Sequence, residues 1–60
     1  MTNLTMQLPD ESVWALAQFL KRASFSDYRQ LAQNEEEAYE MQFAAEKLRE
    51  ALAEKGISPR

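Results

Sequence analysis

Residues 34–56 read NEEEAYEMQFAAEKLREALAEKG, and how this stretch is folded decides the architecture. Ala38, Met41, Ala45, Leu48 and Leu52 recur at alternating steps of three and four. At about 100° per residue this spacing keeps them in one stripe along a helix. The stripe is the pattern of a helix-packing seam. Both ends are marked too. Asn34 can cap the free N–H groups, and Glu35, Glu36 and Glu37 place negative charge against the positive end of the helix dipole. Gly56 suits the left-handed residue that follows many helices, and Pro59 opposes continuation. The interior holds neither Gly nor Pro and is rich in Ala, Glu, Leu and Lys, all good helix formers. A long helix over 35–55 follows.

Upstream, Pro9, Asp10 and Glu11 form a helix opening, since Pro is tolerated at a helix start and acidic residues favour the first turn. A first helix is expected over 10–22. On it Val13, Leu16, Ala17, Leu20 and Ala23 share one arc, and Lys21 and Arg22 suit the negative end of the dipole. The core is expected from Val13, Leu16, Leu20, Met41, Ala45, Leu48 and Leu52, shared within or between subunits. Between the helices, residues 23–34 form a connection. Ser24 or Ser26 could cap a short helical turn carrying Phe25, Tyr28 and Leu31, or the chain could be helical without a break from Asp27 to Lys55. Either way the link is short enough to make the two main helices antiparallel neighbours.

Residues 3–8, NLTMQL, alternate polar and apolar, with Leu4, Met6 and Leu8 on one side and Asn3, Thr5 and Gln7 on the other. This is the pattern of a half-buried strand. A lone strand leaves its backbone unpaired, so residues 1–9 should either pair with their copy in a second subunit or lie as an extended arm on the helices. Residues 56–60 read as a tail. The fold expected is mainly α, an antiparallel helical hairpin with a short N-terminal extended or strand segment, assembled as a homodimer.

Size and composition support the dimer. A sixty-residue chain buries only about 60% of the surface its unfolded form exposes, and small domains usually need a disulfide, a metal or a partner. The sequence has no Cys and no His, which removes disulfides, thiolate metal sites and the commonest metal ligand. No cofactor is expected. No apolar run reaches the roughly 18 residues of a membrane span, and the N-terminus lacks the pattern of a signal peptide. A cytoplasmic protein without a membrane partner is the expectation.

The inventory is also poor for catalysis. Ser12, Ser24, Ser26 and Ser58 have no His to activate them, and one glycine cannot build a phosphate loop. The acidic cluster lies on an exposed helix start, where nothing would raise a pKa. The chain is not expected to be an enzyme.

Binding is what remains. Ten acidic residues outweigh seven basic ones for a net charge of −3, all of it carried by residues 35–60. Glu35, Glu36, Glu37 and Glu40 could steer the chain to a basic surface, or they could be an ordinary solvated helix start. Trp14 and Phe19 flank the first helix's arc on opposite sides. They either lie against the arm and the connection or meet another chain. Tyr39 and Phe43, four apart beside the seam, are either partner anchors or dimer-interface residues.

Two family resemblances bear on this. The opening NLTMQLPDESVWALAQFLKR resembles the start of ribbon-helix-helix repressors, in which strands of two subunits pair and enter the major groove. The resemblance implies outward, base-reading Asn3, Thr5 and Gln7. The remainder departs from that family: roughly 30 residues follow Ser26, and basic phosphate contacts are scarce. DNA is therefore the less favoured partner. The segments WALAQFLKR, FSDYR, EEEAYEM and ALAEKGISPR together resemble very short proteins of Pseudomonas phages and related mobile elements, a group associated with anti-quorum-sensing activity. That resemblance implies a small helical dimer in the host bacterial cytoplasm that binds and inhibits a host protein. Its expected targets are a LuxR-type quorum-sensing transcription activator and the ATPase of type IV pilus assembly.

Overall fold

The computed structural model describes residues 1–60 and is mainly α. Three helices follow one another: α1 (Asp10–Arg22), α2 (Phe25–Leu31) and α3 (Glu35–Glu54). The two main helices fall where the sequence places them, and the connection between them contains a short third helix.

Each helix start follows from its local chemistry. Pro9, with φ −57°, precedes α1, and its carbonyl accepts the first helical bond, from Val13 N–H at 3.0 Å. Ahead of α2, the Ser24 N–H donates to Asp27 Oδ2 at 2.8 Å, and the Ser24 hydroxyl donates to the same oxygen at 3.0 Å. At α3, Asn34 Oδ1 accepts from Glu37 N–H at 2.8 Å while Glu37 Oε1 accepts from Gln33 N–H at 2.9 Å. Two orphan donors are thereby satisfied reciprocally. The extended backbone of Ala32 and Asn34 separates α2 from α3, so the chain is not one helix from Asp27 onward.

The C-terminal end of α3 is closed by Gly56, whose φ of +82° lies in the left-handed region. Gly56 N–H reaches the Ala53 carbonyl and Ile57 N–H the Leu52 carbonyl, both at 2.9 Å. This pair of bonds turns the chain back on the helix and brings an apolar residue over its last turn. Ile57 and Pro59 are accordingly half-buried, lining a small cleft with Ala17 and Leu52. The segment expected to be a tail is in part a packed end.

Both α1 and α2 pack on α3. Leu20 and Ala23 border the same cleft as Gln42, Ala45 and Arg49, whereas Ala17 meets Arg49, Leu52 and Ile57. Later residues of α1 thus face earlier residues of α3, and the two run antiparallel. The core consists of Leu20, Tyr28, Ala38 and Ala45, with Leu16, Phe25, Met41 and Leu52 partly buried around it. Ala38 is wholly buried, and a side chain that small lets the helices come close. The molecule is only 16 Å thick, less than two helix diameters. Few side chains therefore have protein on every side.

Within one chain the core differs in three places from the set expected to be shared within or between subunits. Leu48 is 38% exposed. The helices dock on the side of α3 that carries Gln42, Ala45 and Arg49, which at about 100° per residue turns Leu48 away from the contact. Val13 is only half-buried and lies outside the core cluster. Tyr28, from the connection, takes a core position that the periodicity of the two long helices did not supply. The N-terminal residues differ as well. Residues 1–9 form no strand, and within one chain there is nothing for a strand to pair with. Nor does the arm lie on the helices, for Leu4 is 86% and Met6 69% exposed.

The Ser24 hydrogen bonds have a consequence for acid stability. The Ser24 backbone N–H, then its hydroxyl, hold the Asp27 carboxyl below its ordinary value of 3.8. A carboxyl lowered in the folded state contributes stability that is fully present above its unfolded pKa and lost as pH falls through the folded one. The difference in thermal midpoint between the parent chain and an Asp27→Asn variant is expected to hold from pH 7 to about pH 5 and to shrink below about pH 4. A difference that stays constant down to pH 2 would show that the carboxylate charge is not what caps α2.

Candidate interaction surface

The chain leaves more large apolar side chains in water than it buries. Trp14, Phe19, Leu31, Tyr39, Phe43 and Leu48 are all exposed on the helices, besides Met1, Leu4, Met6 and Leu8 in the arm. Scattered single residues of this kind are ordinary, but contiguous ones mark interaction sites.

The structure brings some of the sequence candidates together. Tyr39 and Phe43 are one turn apart on α3 and both more than half exposed. Tyr39 stacks on Phe25 of α2, ring centroids 4.7 Å apart and planes tilted by 32°. Phe43 lies under the Lys47 ammonium, 5.5 Å from the ring centroid, and Lys47 is also 3.7 Å from Glu50. Glu36 and Glu40 project from the same outer side of α3, each three or four residues from one of these rings. Phe25, Tyr39, Phe43 and Lys47 thus form a ladder of rings and charge with carboxylates beside it. Such rings can seat an apolar or cationic group, and the carboxylates can pair with basic ones.

Other candidates stand apart. Trp14 and Phe19 lie on opposite sides of α1, and neither is covered by the arm or the connection. Phe19 borders an open depression of about 520 Å³ with Ala15, Gln18, Arg22, Ala23 and Asp27. Glu35 is exposed at the start of α3. Glu37 is half-buried and already engages Gln33 N–H through Oε1, so the carboxylates of this cluster with no hydrogen bond inside the chain are those of Glu35, Glu36 and Glu40. The Asn34–Glu37 spacing already carries this sign, a cap residue followed three positions later by Glu. Phe25 and Lys47 were not among the sequence candidates. Phe25 meets Tyr39 only because α2 folds onto α3, a contact no local pattern reports, whereas Lys47 sits four residues after Phe43 and was accessible to a spacing argument.

No group of three or more acidic side chains is arranged to hold a metal ion. No helix is long and apolar enough to cross a membrane. Fold and surface together define a small all-helical protein, three helices around a thin core, with an aromatic and acidic outer face. Over residues 1–60 the chain matches DUF7706, a family of unknown function, and it belongs to that family. No curated protein and no solved structure matches it.

Proposed function

We propose that the chain is a small non-enzymatic binding protein of phage or mobile-element origin that inhibits a host protein, a LuxR-type quorum-sensing activator first and the type IV pilus ATPase second. The observation that carries this reading is the outer face of α3, where Tyr39 and Phe43 stand exposed beside Glu36 and Glu40. Aromatic anchors rimmed by charge are the usual composition of a binding hot spot, and the acidic balance fits a basic target such as a DNA-binding domain. The family resemblance of WALAQFLKR, FSDYR and EEEAYEM supplies the class of target. The protein acts as a homodimer in the host cytoplasm.

Reversing Glu35, Glu36 and Glu40 to Lys tests the electrostatic part. Glu37 is left in place because it caps α3. Against a purified LuxR-type activator, the triple variant should associate about tenfold or more slowly at low salt, with the gap closing as salt is raised. Equal association rates at low salt would remove the steering argument.

A second reading draws on the arm. Asn3, Thr5 and Gln7 are exposed, so two copies could pair their arms and present these side chains to DNA as ribbon-helix-helix repressors do. A mobility-shift titration separates the two readings, since DNA binding that weakens steeply with salt belongs to the repressor.

A further inference from the structure

Turning Leu48 away from the core leaves α3 with a second seam. Glu37, Met41, Ala44, Leu48, Ala51 and Lys55 follow one another at steps of four, three, four, three and four. This is the spacing by which one helix presents a continuous stripe to another. The stripe lies beside the buried face of Ala38, Ala45 and Leu52 and away from the outer face of Phe43. Ala44, Leu48, Ala51 and Lys55 are exposed, and Met41 and Glu37 are half-buried. The packed C-terminal end does not cover it, for Ser58 borders Glu46, Arg49, Glu50 and Ala53 on the other flank of the helix.

We infer that this stripe is where two copies of the chain pair, α3 against α3 and antiparallel. The stripe is complementary to itself in that sense and in no parallel one. A two-fold axis crossing the stripe midway between Ala44 and Leu48 sets Leu48 opposite Ala44 of the second copy and Met41 opposite Ala51. Each large side chain thereby meets a small one, the arrangement by which facing side chains interdigitate. The same axis sets Glu37, which keeps a second carboxylate oxygen besides the Oε1 that accepts from Gln33 N–H, at one end against Lys55 at the other, twice over, so unlike charges close both ends. A parallel pairing would put Glu37 on Glu37 and Lys55 on Lys55. In an isologous pair each residue meets the partner position that its symmetry mate also uses, and the order of sizes and charges along this helix satisfies that condition. Tyr39 and Phe43 remain on the outside of such a pair, so self-association and partner binding use different faces of α3. The inference rests on the homodimer in the reading above and names the face that makes it.

The test is sedimentation equilibrium on the parent chain and on Leu48→Lys, Lys55→Glu and Phe43→Lys variants, with far-ultraviolet circular dichroism to verify helix content. The parent should run at twice the chain mass. Leu48→Lys should raise the dissociation constant about 30-fold or more. Lys55→Glu should weaken the pair several-fold at low salt only, an effect that stands even if Leu48→Lys perturbs folding. Phe43→Lys should leave the pair intact. Because the natural chain has no Cys, the pairing can be read directly. Oxidising an equal mixture of Ala44→Cys and Leu48→Cys chains should cross-link unlike chains in preference to like ones. A parent chain that stays monomeric at millimolar concentration would overturn this inference together with the homodimer. A parent dimer that Leu48→Lys leaves intact while Phe43→Lys breaks it would overturn the stripe alone, and preferential cross-linking of like chains would overturn the antiparallel arrangement.

Discussion

Replacing Leu20 by Ala is expected to cost about 2–5 kcal/mol, the range for truncating a buried leucine. Leu20 is 5% exposed and touches the centre of the core, where Tyr28, Ala38 and Ala45 meet. In a domain of this size each kcal/mol moves the melting point by roughly 4–8 °C, so the variant should melt at least about 10 °C lower or fail to fold. Leu48→Ala is the control within the same chain. At 38% exposure it should cost less than about 1 kcal/mol at concentrations where the chain is monomeric. The periodicity of α1 and that of α3 rank the two alike. Denaturant melts that find equal losses would return Leu48 to the core.

The second large effect concerns binding. Phe43 is 57% exposed, and the contact the structure gives its ring is the Lys47 ammonium. Phe43→Ala should therefore leave the fold intact yet weaken binding to the host target about 30-fold or more, as loss of an aromatic hot spot does. Tyr39→Ala is the less clean variant, because Tyr39 also stacks on Phe25 and its loss would loosen α2. Titration calorimetry against a LuxR-type activator, with melting curves run in parallel, separates a binding loss from a folding loss. Unchanged affinity in Phe43→Ala would move the binding site off this face.

The limits of α1 and α3 were legible because they are set locally. Pro9, Asp10 and Glu11 open one helix and Asn34 the other, and Gly56 closes it, each acting on backbone groups within a few residues of itself. The facing of α3 was less so. The stripe on α3 is broad enough to be met from either side, with Leu48 at one edge and Gln42 just beyond the other, while Met41 and Leu52 border the core. The choice between the two sides is made by where α1 and α2 dock. That docking depends on Tyr28 reaching Ala38 and Ala45, a contact between segments that periodicity within either one cannot report. The same holds for the candidate surface. Tyr39 and Phe43 were identifiable from spacing, but the ring of Phe25 joins them only through the packing of α2. Composition alone groups Glu37 with its acidic neighbours, although its position three residues after Asn34 commits it to the cap.

The arm shows a different limit. Its alternation is a real pattern, and nothing within one chain satisfies it. Leu4 and Met6 stay in water because a strand needs a neighbour, and the neighbour would have to be another molecule. Pattern alone fixes which side of the arm is apolar without fixing what meets it.

We propose that the outer face of α3 grips a host protein. The most direct measurement is affinity purification from nuclease-treated Pseudomonas lysate with two tagged chains, the parent and Phe43→Ala, compared by quantitative mass spectrometry. The parent should enrich one host protein, a LuxR-type transcription activator, and Phe43→Ala should lose it while retaining its own second copy. Recovery of the same proteins by both chains, or of nothing beyond the chain itself, would contradict it.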